Sequence, residues 1–477
     1  MLRLLILLAL LQTASITHAA DQQGSPRRVK YKDGPAFIYR VTLVDKQGTP
    51  YSLDHPTRFL SRRSVERRKR QGLGLDSTDL PVSPHYVKQL VSNQVTLMGQ
   101  SRWQNTLLLR MRDTTLVNAI RQHPFVSHCK LVWLSPDTVA YESRPKYMDQ
   151  FEEHDSIKGE IYGVAAEQIQ CLRGDQLHRA GLLGQDMMIA VLDGGFKNAD
   201  LIPEFQKIDI RGFRDFVDPA QPRLFSETDH GTKVLSAMAI YHPYYFVGTA
   251  PKASYWLLRS EDQQTEQEIE EDYWTMAAEF ADSVGCDVIN SSLGYNEYDH
   301  KWMNYRLWQL DGRTSFASRS ASMLAGKGMI LVNSAGNSGM GPWKKIGIPA
   351  DANDILTVGA VAEIDIHRIA PFSSVGPTQD GRVKPDVVAM GAPARLVSAR
   401  GTITSGMGTS FSAPIVSGLV ACLWQGMPHK TAREIIELIR QNSDNYSHPD
   451  NVYGYGLPNF WRAYMRGRMK SEERPDN

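Results

Sequence analysis

The sequence predicts an α/β protein: a doubly wound, mostly parallel sheet with helices on both faces, preceded by a small α+β domain. Three observations predict it. Apolar runs at 188–192 and 330–332 each close on a polar residue and a Gly turn, Asp193-Gly194-Gly195 and Asn333-Ser334-Ala335-Gly336, as buried parallel strands do. Helical stretches open directly after polar turns, at Asp229-His230-Gly231-Thr232 and at Gly408-Thr409-Ser410; the second continues into the apolar run 415–424, a buried helix. Ahead of these, strand and helix patterns follow one another in the order of a split βαβ unit.

From the N-terminus, Arg3 and the apolar run 4–11 are followed by Thr17-His18-Ala19. That is the layout of a secretory signal over 1–19, so an exported protein is expected, in the periplasm or outside the cell. No later run approaches the ~20 apolar residues a spanning helix needs, and no membrane anchor is expected. Residues 37–44 alternate as a strand. Residues 83–91 read as a helix, 95–98 and 106–111 as strands, 116–122 as a helix and 126–133 as a last strand. The run Arg62–Arg70 is the one strongly basic segment. It reads as a solvated helix face with Glu66 opposite Arg70, and alternatively as a dibasic processing site. Residues 143–159 are polar and charged and read as an exposed linker. The expected division is 20–157 for the N-terminal domain and linker, 158–466 for the main domain and 467–477 for a polar tail.

Bulk composition narrows the function. A chain of 477 residues suggests two or three domains. Hydrophobic content of 42% and charged content of 22% are those of a globular protein. A formal net charge of +1 gives no electrostatic case for nucleic acid. Cys129, Cys171, Cys286 and Cys422 are too few and too scattered for a disulfide framework, and no Cys/His spacing marks a metal site.

Four segments carry chemistry. Ser410, between Gly-Thr and Phe-Ser-Ala-Pro, sits where a helix begins, so free backbone N–H groups and the positive end of the dipole face its hydroxyl. Asp193 is delivered by a strand end, His230 by a helix mouth, and Asn337 by a Gly-rich turn after a strand. Each has a plainer reading: a helix cap, a turn former, a structural histidine and a left-handed Asn.

Together the four resemble the subtilisin-like serine protease family. Asp, His and Ser occur in that family's chain order, with Asn337 between His and Ser. Val247-Gly248-Thr249-Ala250-Pro251-Lys252-Ala253, Asp287–Gly294, Phe372–Pro377, Lys384–Val387 and Tyr455-Gly456-Leu457 match lesser family signatures. The resemblance runs from about Tyr162 to about Tyr464 and implies the rest. Asp193, His230 and Ser410 would be a catalytic triad, and Asn337 an oxyanion donor. Ser292, Leu293, Gly294, Ser334, Ala335 and Gly336 would flank the substrate. The N-terminal domain would be a ferredoxin-like propeptide, an intramolecular inhibitor of a self-processing precursor whose partners are polypeptide substrates.

Two departures stand out. Gly194 replaces the hydroxyl residue that usually follows the Asp, and Lys233 replaces a second His. The family's calcium loop would fall at 240–246, which offers few oxygen ligands, so that site looks absent. No cofactor is implied as required, and calcium at another site is left open. An esterase or ligase bias, and an inactive peptide binder, are alternatives with the same residues. Oligomeric state is not legible. Tyr295, Tyr298, Trp302, Tyr305 and Trp308 lie in a long insertion, as substrate contacts or as its local core. An ordinary His pKa of about 6.5 predicts activity rising across roughly pH 6 to 8.

Overall fold

In the computed structural model, which describes residues 27–31, 34–141, 160–362 and 368–472, the N-terminal domain is an antiparallel sheet with helices. Its elements are β1 (Phe37–Leu43), α1 (Arg62–Arg70), α2 (Pro84–Leu90), β2 (Val95–Ser101), β3 (Thr106–Met111), α3 (Leu116–Arg121) and β4 (Val126–Leu134). The strand order is β2–β3–β1–β4, that of the split βαβ arrangement. Expected and observed bounds agree closely except at β2, which runs on to Ser101. A register shift between Leu97 and Gly99 lets its ladder with β3 continue. The expected signal at 1–19 and linker at 143–159 lie outside the described residues.

The period-two alternation of β1 sorts the two faces of this sheet. Tyr39, Val41 and Leu43 point to a small core with Tyr86 of α2 and Ile120 of α3. Ile38, Leu108 and Val132 point the other way, into a core shared with the second domain.

That domain is a seven-stranded sheet in the order β11–β10–β9–β8–β5–β7–β6, parallel throughout. Its strands are β5 (Met188–Asp193), β6 (Asp209–Asp215), β7 (Ser254–Arg259), β8 (Val288–Ser291), β9 (Ile330–Ser334), β10 (Leu356–Val361) and β11 (Val387–Met390). The helices that position the site are α4 (His230–Ala239), α5 (Ile269–Val284) and α6 (Thr409–Gln425). Helix α6 is apolar all round, and its residues from Phe411 to Trp424 are buried, as befits a helix inside a core. The final helix, Phe460–Glu472, reaches into the stretch expected as a polar tail. Phe460 and Ala463 anchor it in the main core, and that packing outweighs the weak periodicity of its end.

The two domains meet through α5. Its N-terminal Asp272 and Glu268 hold Arg40 of β1, and Gln267 caps the edge of β4 by exchanging two 2.8 Å hydrogen bonds with the Leu134 backbone. Near its C-terminus Glu279 accepts the N–H groups of Arg102 and Trp103 at 2.9 and 3.0 Å. Helix α1 is present as expected, capped by Ser61 Oγ accepting the Ser64 N–H at 3.1 Å. Its inner face is not solvated, however: Arg67 and Arg68 are 0% and 1% exposed, because both reach Asp282 of α5. Arg70 approaches Asp287, 3.7 Å away, in place of the expected Glu66 pair.

The aromatic insertion is mainly local core. Tyr295, Tyr298 and Tyr305 are buried, while Trp302 and Trp308 are exposed. All four cysteines are free. No described helix is long and apolar enough to cross a membrane.

Candidate active site

Parallel register brings the site residues to one edge of the sheet. Asp193, the last residue of β5, lies level with Arg259 of β7, and its neighbour Leu192 lies level with Ser291 of β8. Ser291 in turn lies level with Asn333 of β9. The turns leaving these strands therefore converge at their C-terminal ends, where a doubly wound sheet binds its ligand.

Asp193 is fully buried. Its Oδ1 and Oδ2 lie 3.0 and 2.9 Å from Nδ1 of His230. Oδ1 also accepts the Gly194 N–H at 2.8 Å, so a backbone donor serves the carboxylate where the usual hydroxyl side chain is missing. His230 opens α4, and Gly231 behind it has no room for a side chain. A Cβ there would sit 2.4 Å from the Gly195 oxygen and 2.9 Å from Asp193 Cβ. That close approach brings the imidazole onto the carboxylate. The ring packs against Phe411, with centroids 5.6 Å apart.

Ser410 is the second residue of α6. Its Oγ donates to the Ser292 carbonyl at 3.2 Å, so in this rotamer the hydroxyl is turned from His230. Pro414, four residues on, has no N–H to give the Ser410 carbonyl. The Ser292 hydroxyl supplies that bond at 2.8 Å. A proline that looks misplaced inside a helix is thereby tolerated, and the start of α6 is fastened to the turn after β8.

Asn337 accepts from both the Thr409 N–H (2.9 Å) and the Thr409 hydroxyl (3.0 Å) through Oδ1. This fixes the amide so that Nδ2 is the donor left available beside Ser410. The Thr409 hydroxyl also accepts the Gly336 N–H at 3.1 Å. Gly336 has φ +105, a conformation that suits glycine.

These groups surround a cleft of about 420 Å³ lined by His230, Ser292, Leu293, Gly294, Ser334, Gly336, Asn337, Thr409 and Ser410. Of the expected lining residues, Ala335 is absent. It is 0% exposed and belongs to the core behind the wall. The cleft is also lined by Thr228, Glu261, Gln263 and Asn296, which the sequence reading missed. The available signal was position: Glu261 follows the end of β7, the strand beside β5.

Burial works against a charged His230, but attraction and hydrogen bonding from Asp193, with Glu261 and Asp229 adding, win and raise it to about 9. The imidazole is thus held cationic to higher pH than an ordinary histidine.

Fold and cleft define the class of serine peptidases built on a doubly wound sheet. Comparison with known proteins is more particular. Residues 184–456, more than half of the chain, match the subtilase family, Peptidase S8, and the chain belongs to that family. Residues 38–148 match the Peptidase S8 propeptide domain of Bacteroidota. The chain is 26% identical to subtilisin NAT of Bacillus subtilis subsp. natto over 317 residues, 66% of this chain and 74% of that protein. It is 28% identical to serine protease AprX of Bacillus subtilis over 312 residues, 58% of this chain and 66% of that one. It is 28% identical to the mouse membrane-bound transcription factor site-1 protease over 272 residues, 55% of this chain, and spans only 23% of that larger protein. The protein is therefore a serine protease of the subtilase family with an N-terminal propeptide domain.

Proposed function

We propose that Asp193, His230 and Ser410 form the catalytic triad of an exported endopeptidase made as a self-processing precursor, with Asn337 as its oxyanion donor. The observation that carries this reading is the Asp193 carboxylate on His230 Nδ1 at 2.9–3.0 Å, in one cleft with Ser410 and Asn337. With Nδ1–H held by Asp193, Nε2 is the free base. After a turn about χ1, Ser410 Oγ loses its proton to Nε2 as it attacks a peptide carbonyl. The oxyanion is met by Asn337 Nδ2 and the Ser410 N–H, which as a first-turn amide has no intrahelical partner. Collapse expels the amine, which takes the proton from His230, and water then cleaves the acyl-serine by the same route. No metal is needed for these steps. Ser292, Leu293, Gly294, Ser334 and Gly336 border the cleft, and extended substrate fits there as an added strand. Export rests on the N-terminal signal pattern, and inhibition in cis on the docked propeptide domain.

Casein hydrolysis with and without a fluorophosphonate tests the reading. The expected result is irreversible loss with the label on Ser410. Undiminished hydrolysis with Ser410 unlabelled would remove the assignment.

Asn337→Ala should lower kcat by about 10² to 10³ with KM little changed, a range taken from subtilisin itself. An unchanged kcat would make Asn337 only the anchor of Thr409. The pH profile should also be displaced. His230 accepts a proton only when neutral, and its folded value is about 9, so kcat/KM should climb through pH 7 toward 9. A plateau already reached by pH 7 would show that Asp193, Glu261 and Asp229 hold the imidazolium less strongly than this geometry indicates.

A further inference from the structure

Helix α5 begins in a dense group of acids: Glu266 just ahead of it, Glu268 at its cap, and Glu270, Glu271 and Asp272 in its first turn. Most have evident partners. Glu268 holds Arg40 and Lys130 at 3.1 and 2.6 Å, and Asp272 holds Arg40. Glu271 accepts the Tyr298 and Tyr305 hydroxyls and the Ala317 N–H at 3.0, 2.6 and 2.8 Å. Glu266 and Glu270 do not follow this pattern, and neither does Glu261 on the loop after β7. Among the described residues no Lys or Arg ion pair reaches any of the three.

We propose that Glu261, Glu266 and Glu270 form a divalent-cation site, of the all-oxygen kind that takes Ca²⁺, in the wall of the substrate cleft. One carboxylate oxygen from each lies within 4.8 Å of the others. Oxygens bound to one Ca²⁺ at about 2.4 Å are at most about 5 Å apart, so a single ion reaches all three. Glu270 is 0% exposed. One of its oxygens accepts the Asp262 N–H at 2.7 Å, and the other, Oε2, is buried with no donor. A second, independent buried group lies near these carboxylates. The hydroxyl of Tyr295, also 0% exposed, has no hydrogen-bond partner, and Glu261, Glu270 and Glu266 are the charges that act on it most.

The helix N-terminus supplies about half a positive charge, too little for three carboxylates that share it with Glu268, Glu271 and Asp272. Oxygen-only donors favour a hard cation over zinc or copper. Ligands split between a loop and a helix suit the flexible coordination of Ca²⁺ better than the strict octahedron of Mg²⁺. The site lies apart from the 240–246 segment where the family's loop would fall. Its consequence for the enzyme is mechanical. Glu261 and Gln263 line the cleft beside His230, so an ion joining Glu261 to α5 pins that wall against the helix.

The test uses the full chain as Ser410→Ala, which cannot digest itself, with Ca²⁺ alone as the probe. Titration calorimetry should show a Ca²⁺ ion bound that is lost in Glu270→Gln, and Tm should rise with Ca²⁺ over EDTA in the parent but not in that variant. In EDTA, Glu270→Gln should melt at or above the parent, because it loses an unpaired buried carboxylate; with Ca²⁺ the parent should overtake it. Glu266→Gln, nearer the surface, should repeat the pattern and serves if Glu270→Gln does not fold. Equal Ca²⁺ responses in parent and variants would place the ion elsewhere and overturn the proposal. Absence of any Ca²⁺ response, with Glu270→Gln more stable in both buffers, would also overturn it and show carboxylates that share protons instead.

Discussion

Ser410→Ala should abolish peptidase activity and leave the precursor in one piece. The loss in kcat should be about a million-fold, a figure that comes from subtilisin itself. The fold should persist. Among the described residues the only bond that the side chain makes is the 3.2 Å one to the Ser292 carbonyl, whereas the bond fastening α6 to the turn after β8 runs from Ser292 Oγ to the Ser410 backbone and survives in alanine. Processing should fail with activity. In the self-processing proposed above, a linker tethered to the cleft would meet it at a high effective concentration, and the first cut would be intramolecular. Wild type should therefore yield two fragments parted between about residues 143 and 162, and Ser410→Ala one, by mass spectrometry from a host lacking other proteases. Equal processing of both would make the N-terminal domain the substrate of another enzyme.

What the sequence showed of this site, and what it hid, divides along physical lines. Asp193, His230, Ser410 and Asn337 were legible because each is delivered by a local pattern, a buried strand or helix start closing on a polar turn. The N-terminal strands were legible from two-residue periodicity, which needs no knowledge of partners. Glu261 and Gln263 were not, since a polar loop has no period, and only the parallel register of β7 against β5 brings them to the cleft. The role of Ser292 was hidden for a related reason. It becomes evident once Pro414, more than a hundred residues away, deprives the Ser410 carbonyl of its helical donor. The Arg62–Arg70 run was misjudged because a basic helix face looks the same whether water or a buried carboxylate awaits it, and Asp282 lies over two hundred residues downstream.

Asp282→Ala should be the most damaging single change to the precursor's assembly. Its carboxylate, 0% exposed, meets Arg67, Arg68 at 2.8 Å and Arg102 at 2.8 Å. Arg68 retains Asp79 at 3.0 Å, but Arg67 is left with the backbone carbonyls of Cys286 and Lys327 and the Ser64 hydroxyl. Removing one partner of a buried pair strands a charge at a cost of about 3–5 kcal/mol. Asp282 lines no part of the cleft, so the cost should fall on propeptide docking, not on the chemistry. The interaction should withstand mild acid. Burial works to raise this carboxyl, yet Arg68, Arg67 and Arg102 together hold it well below the ordinary carboxylate range. A depressed value contributes stability that is present above the unfolded pKa, about 3.9, and is lost only as pH falls below it. In the Ser410→Ala background, denaturant unfolding and the proteolytic susceptibility of residues 37–134 should show the propeptide domain loosened by Asp282→Ala at pH 5 and pH 7 alike. Arg70→Ala should change little, since its 3.7 Å approach to Asp287 is made by a half-exposed side chain and exposed pairs contribute about 0–1 kcal/mol. Equal effects of the two substitutions would mean that the apolar face shared by Ile38, Leu108 and Val132 with α5, and not the buried charges, holds the propeptide in place.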